Sequence, residues 1–117
     1  MVLLWYPKCS TCQRAKKYLD SNNCKYELKD ITIDTPSIDD LEKYVKNSGK
    51  DLKKFFNTSG MKYREYNLKE KLINMSEEEQ LSLLASDGML IKRPLLIIED
   101  HVCVGFSEKE WSEFIWE

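Results

Sequence analysis

Two cysteines stand three positions apart, at Cys9 and Cys12, with Ser10 and Thr11 between them. A thiol attacks only as its thiolate, and a cysteine just ahead of a helix is where a thiolate forms readily. Unpaired backbone N–H groups and the helix dipole both stabilise negative charge there. Lys8 and Arg14 add positive charge nearby. The arrangement suits a nucleophile at Cys9 and a resolving thiol at Cys12, one turn away, which attacks a Cys9 adduct and closes a disulfide. Two other readings stay open: a pair of inert small residues, or half of a zinc site. Zinc requires about four ligands, and no second Cys-x-x-Cys or His pair accompanies this one. Only His101, Cys24 and Cys103 are left, so no metal is expected.

A second candidate group lies far along the chain, in Lys92-Arg93-Pro94. Proline at the start of a strand marks special backbone geometry, cis included. Arg93, if the fold brings it to Cys9, can bind an oxyanion or stabilise the thiolate through charge-assisted hydrogen bonds, or else it is an exposed arginine beside a strand end. Cys24 and Cys103 read as small packing residues. The lone His101 falls in a turn, and Glu77-Glu78-Glu79 reads as favourable charge at a helix N-terminus.

These residues need a scaffold, and the hydrophobic pattern supplies one. Val2 to Tyr6 is continuous and β-rich, the pattern of a strand buried on both faces, and Pro7 ends it. Cys12, Ala15 and Leu19 then share a helical face over about residues 11–21. A second strand is expected within Lys25 to Ile33, giving strand, helix, strand with a right-handed crossover. Ser37 with Asp40 opens a helix along Ile38, Leu41, Tyr44 and Val45, and Gly49 fits the left-handed residue beyond it. Leu52, Phe55 and Phe56 mark a short helix. A weaker one spans Met61 to Leu72, with Tyr63, Tyr66 and Leu68 near the core. Ser76 and Glu79 make another capping box, so about 36–86 is a helical insert. Leu95 to Ile98 and Val102 to Phe106 form a hairpin across Glu99-Asp100-His101. Ser107 and Glu110 cap a last helix facing inward through Trp111, Phe114 and Ile115. This order suits an α/β fold, a mixed four-stranded sheet flanked by helices.

At 117 residues the chain is expected to form a single domain, burying somewhat under ~70% of its unfolded surface. Eighteen basic against twenty acidic residues leave a net charge of −2, without the basic excess of a nucleic-acid binder. The longest apolar run is far short of a membrane span. With no secretory signal expected, the four cysteines point to a reducing cytoplasm, where a close pair is catalytic, redox-sensing or metal-binding rather than structural.

Tyr6-Pro7-Lys8-Cys9-Ser10-Thr11-Cys12, Lys53-Lys54-Phe55-Phe56-Asn57-Thr58-Ser59-Gly60 and Ile91-Lys92-Arg93-Pro94-Leu95-Leu96, in this order and spacing, resemble the ArsC/Spx family from Val2 to about Phe114. The resemblance implies a thioredoxin-like fold with a helical insert and a cis Pro94. Ser10, Thr11 and Pro94 then become oxyanion-binding or fold-supporting residues. In the arsenate reductase branch the cysteine matching Cys9 attacks arsenate, three arginines hold the oxyanion, and glutathione with glutaredoxin resolves the adduct. Thioredoxin is the other candidate reductant, and no bound cofactor is implied. Only Arg93 matches one of those arginines; the other positions fall near Asn57 and Gly105, and nothing in the sequence places Arg64 at the site. In the Spx branch, a Cys-x-x-Cys disulfide switch controls binding to the C-terminal domain of the RNA polymerase α subunit. Cys12 looks like the resolving cysteine of that switch, and Gly49 sits near the glycine of the polymerase contact. The expectation is a monomeric thiol-redox protein resembling arsenate reductases, with the redox-switched regulator as the alternative.

Overall fold

The computed structural model describes residues 1–115. Strand β1 (Val2–Trp5) leads into helix α1 (Ser10–Ser21), strand β2 (Glu27–Asp30) and helix α2 (Ile38–Ser48). Three short helices follow, α3 (Met61–Glu65), α4 (Leu68–Lys71) and α5 (Glu77–Ser86), with single 3-10 turns at Leu52–Phe55, Leu72–Asn74 and Gly88–Leu90. Strands β3 (Leu95–Ile98) and β4 (His101–Val104) and helix α6 (Glu108–Phe114) complete the described chain. The sheet order is β2-β1-β3-β4, with β1 parallel to β2 and the other neighbours antiparallel. This is the expected mixed four-stranded α/β sheet.

Period-two alternation divides the core into two layers. Leu4, Leu95 and Val102 point to one face, where Leu41, Phe55, Leu84 and Leu90 cover them. Their neighbours Leu3, Leu96 and Cys103 point to the other, against Ala15, Leu19 and Trp111. Both faces are thus covered, which is why β1 and β3 read as unbroken apolar runs.

Capping fixes where the helices begin. Reciprocal Ser37–Asp40 and Ser76–Glu79 hydrogen bonds close capping boxes ahead of α2 and α5, and Ser107 accepts from Glu110 N–H ahead of α6. Gly49 ends α2 in the left-handed region at φ +68°.

Several expected boundaries shift, each for a local reason. Strand β2 stops at Asp30 because its carboxylate accepts from both Thr32 N–H (2.8 Å) and Thr32 Oγ1 (2.6 Å), making a turn. Ile31 still reaches the core, but Ile33 is 79% exposed. The stretch from Met61 to Leu72 breaks at Asn67, whose φ of +52° separates α3 from α4, and Tyr66 is left exposed. His101 belongs to β4, leaving a two-residue hairpin loop in which Glu99 takes φ +51°. Beyond Val104, Gly105 turns the chain out of the sheet at φ +76°.

Candidate functional site

The end of β1 and the start of β3 lie side by side, since Leu4 pairs with Leu95. Whatever follows β1 therefore meets whatever precedes β3. Cys9 follows β1 as the residue capping α1, its N–H bonded to Tyr6 O at 3.0 Å and its carbonyl accepting from Gln13 N–H at 3.0 Å. Gln13 Nε2 also donates to Pro7 O at 2.8 Å, fixing the connecting turn. No acidic side chain stands in the first turn of α1, so nothing on the helix offsets its positive end.

Arg93 and Pro94 precede β3, joined by a cis peptide bond. Arg93 Nη1 donates to Met89 O at 3.5 Å, and its guanidinium lies 5.1 Å from the centroid of the Tyr6 ring. Its Nε is enclosed without an acceptor among the described residues. Buried donors are rarely left so, and those that are often serve a site.

Cys9 is partly exposed, whereas Cys12 has no exposed surface. Partial burial alone would push the Cys9 thiol up. Hydrogen bonds from the side chain and backbone N–H of Cys12, together with the Arg93 guanidinium, outweigh it and bring Cys9 below the ordinary thiol range. Burial, reinforced by the adjoining Cys9 charge, pushes Cys12 up to about 12. The pair thus divides into a low-pKa thiol at the surface and a protonated thiol beneath it.

A cleft of about 890 Å³ opens over Cys9. Its wall includes Asn57, Thr58, Ser59 and Gly60, held in place where Lys92 N–H donates to Phe55 O (2.7 Å) and Asn57 N–H to Leu90 O (2.8 Å). The structure brings Cys9, Thr11 and Arg93 into one cleft with Cys12 behind them. Ser10 opens α1 beside it, and Pro94 supports the floor by accepting from Gly105 N–H at 2.8 Å. Gly49 is not part of this cleft, and a side chain there would meet nothing within 4 Å. Arg64 does not line it either.

Lysines 50, 62 and 92 do line it, and they join it from three separate parts of the chain. Of these only Lys92 carries a sequence signal, its place beside Arg93-Pro94. Cys24 is partly exposed and Cys103 buried, both apart from the cleft, and His101 is exposed with its ring 4.8 Å from that of Phe114. Among the described residues no three His, Cys, Asp or Glu side chains stand together as a metal site requires. No helix among them is long and apolar enough to cross a membrane.

The sequence pattern of the ArsC family matches residues 4–114, which is nearly the whole described chain and contains every member of the cleft. The chain belongs to the ArsC family. Within the ArsC family it is similar to YusI of Bacillus subtilis (strain 168), at 56% identity over 97% of this chain and 96% of that one. It is similar in structure to an ArsC family related protein from Bacteroides fragilis (49% identity, TM-score 0.94, 97% of this chain and 95% of that one). A Streptococcus mutans UA159 protein described as a possible arsenate reductase also matches (46%, TM-score 0.86, 95% and 96%). More distantly, the chain is 22% identical to the global transcriptional regulator Spx 2 of Bacillus anthracis, over 98% of this chain and 86% of that one. The thioredoxin-like arrangement expected of an ArsC protein is the one observed.

Proposed function

We propose that the protein is a cytoplasmic thiol oxidoreductase of the arsenate-reductase-like kind, with Cys9 as nucleophile, Cys12 as resolving thiol and Arg93 as the group that holds an anion or the Cys9 thiolate. The observation that carries this reading is the divided pair: a low-pKa Cys9 open to a cleft with Arg93 beside it, and a protonated Cys12 directly behind.

The chemistry follows from that division. The Cys9 thiolate attacks an oxidised centre and forms a covalent adduct. Cys12 gives up its proton and attacks the Cys9 sulfur, the bond to the substrate breaks, and the substrate leaves with two more electrons. The Cys9–Cys12 disulfide that remains is reduced by an external thiol, glutathione with glutaredoxin or thioredoxin. Ser10 and Thr11 hold the first turn of α1 at the anion, and Pro94 holds the floor.

Arsenate is a poor fit as the favoured substrate because among the described residues the cleft contributes one guanidinium, Arg93, with Asn57 and Gly105 in its wall. Arsenite formation should be slow with glutathione, glutaredoxin and their reductase present. Arg93→Ala should abolish it, with Arg93→Lys a poor rescue, because an ammonium lacks the forked donor geometry. Loss of one charge-assisted contact costs on the order of 1.5–3 kcal/mol, roughly 10- to 100-fold in rate. Turnover that survives Cys9→Ser would overturn the assignment.

The second reading is a redox-switched regulator that binds the RNA polymerase α subunit. It draws on the likeness to Spx 2 and on Gly49, which ends α2 with open space around it. Pull-downs with oxidised and reduced protein separate the two: recovered polymerase favours the regulator, whereas glutaredoxin or thioredoxin trapped by Cys12→Ser favours the enzyme.

A further inference from the structure

Lys92 and Gly105 meet inside the Cys9 cleft in an arrangement the thiol chemistry leaves unused. A Cβ built on Gly105 would stand 2.9 Å from Lys92 Cε and 3.9 Å from both its Cδ and Nζ. The lysine stem therefore runs through the space that a side chain at 105 would fill. The backbone there, at φ +76°, is one that residues with side chains rarely adopt, so glycine keeps this channel open. Lys92 is also anchored by its main chain, through the bond to Phe55 O.

Charge sets Lys92 apart from the other lysines of the cleft. Lys50 is paired with Glu110 at 3.3 Å, and Lys62 with Asp87. Lys92 and Arg93 form no ion pair among the described residues. Lys92 and Arg93 thus line the space over Cys9 with neither held in an ion pair, while Glu65 and the Lys50-paired Glu110 stand in the same wall. Lys92 also lines the adjoining cleft of about 370 Å³, together with Lys53, Lys54 and Lys69. In a protein with a net charge of −2, the described lining of the Cys9 cleft holds four basic side chains, Lys50, Lys62, Lys92 and Arg93, against two acidic ones, Glu65 and Glu110.

We propose that Lys92, lying across Gly105, determines specificity at the Cys9 site: with Arg93 it selects disulfide substrates that carry a carboxylate near the reacting sulfur over neutral or cationic ones. This rests on Cys9 being the nucleophile. With a disulfide substrate the Cys9 thiolate bonds to one sulfur, the substrate S–S bond breaks, and the other sulfur leaves as a thiolate with the electron pair. Cys9 is oxidised to the mixed disulfide as the departing sulfur is reduced. Lys92 adds no step; it draws in the anion and holds it at the sulfur.

The test uses the full chain carrying Cys12→Ser, so that the mixed disulfide persists, and three probes: dianionic dithiobis(nitrobenzoate), neutral dithiodipyridine and dicationic cystamine. The rate ratio of anionic to neutral probe should fall roughly 3- to 10-fold on adding Lys92→Ala or Lys92→Gln. Lys92→Arg should restore it, and molar salt should flatten the charge preference in the parent. A ratio unchanged in both Lys92→Ala and Lys92→Gln overturns the role of Lys92. Failure of the neutral probe to modify Cys9 at all overturns the thiol assignment on which it rests.

Discussion

Cys9 and Cys12 share a single turn of α1 yet titrate in opposite directions from the ordinary thiol, because Cys9 caps the helix in an open cleft beside Arg93 and Cys12 is enclosed beneath it. Iodoacetamide should therefore alkylate the folded protein with a midpoint below the ordinary thiol range. Cys9→Ser should remove this fast phase. Arg93→Ala should move the midpoint upward, since it takes away one of the charges that favour the thiolate. A midpoint that stays near 9 in the parent would show that the helix end and the guanidinium have no effect.

Oxidation should join the same two sulfurs. Diamide is expected to give a Cys9–Cys12 disulfide with the fold intact, as both residues lie within one turn and neither must leave the helix start. Peptide mass spectrometry would show the loss of two hydrogens in the fragment that holds both. A bridge to Cys24 or Cys103 would identify a different resolving thiol.

Alkali should weaken the fold. Burial pushes both Cys12 and Cys103 up to about 12, with the Cys9 charge adding to the first and Glu110 to the second. Between the ordinary thiol value near 9.0 and about 12, the folded chain keeps two protons that the unfolded chain releases. Stability is thus fully present below pH 9 and declines above it, at up to about 1.4 kcal/mol per pH unit for each thiol. Cys9, lowered in the folded state, acts in the opposite sense, and only near pH 9 and below, where the unfolded chain still holds part of that proton. Urea midpoints measured between pH 9 and 11 should fall, and more gently in Cys103→Ala. Equal slopes in parent and variant would remove Cys103 from the account.

Gly88→Ala should be among the most damaging single changes. An added Cβ would lie 2.1 Å from Ile31 O and 2.8 Å from Ile31 C, and neither backbone atom belongs to a flexible side chain that can swing away. The segment after α5 would have to lift from the turn that ends β2. A cost of about 3 kcal/mol or more is expected from chemical denaturation. A loss under about 1 kcal/mol would mean that the two segments separate freely.

Ser37→Ala and Ser76→Ala should each cost about 1 kcal/mol, because each serine supplies one half of a reciprocal cap. Loss of helical circular dichroism before the main transition would locate the damage at the affected helix.

What could be read from the chain depended on the range of each interaction. Both capping boxes and the stop at Gly49 are short patterns of a few residues, and they appear where expected. Cys9 at the helix start is equally local. Arg93 could be brought to Cys9 only by assuming the sheet, since its position depends on the pairing of Leu4 with Leu95. Ile33 looked like a strand residue because its alternation is correct, but the Asp30 side chain competes with the ladder and turns the backbone away. Asn67 carried a signal that an apolar count does not weigh, its tolerance of positive φ. The contact of Lys92 with Gly105 had no sequence signal at all: one residue is exposed and the other has no side chain, so neither leaves a mark on periodicity.

During synthesis, Cys9 leaves the ribosome with the first strand and helix, and Arg93 follows only after every helix of the insert. The two meet when β3 takes its place against β1. Until then the thiol of Cys9 lacks both the guanidinium and the sheet that holds the helix start, and it behaves as any cysteine of an unfinished chain does. Its reactivity is acquired last, so an oxidant that meets a nascent or unfolded copy finds an ordinary sulfur, and the activated one exists only on molecules that have completed folding.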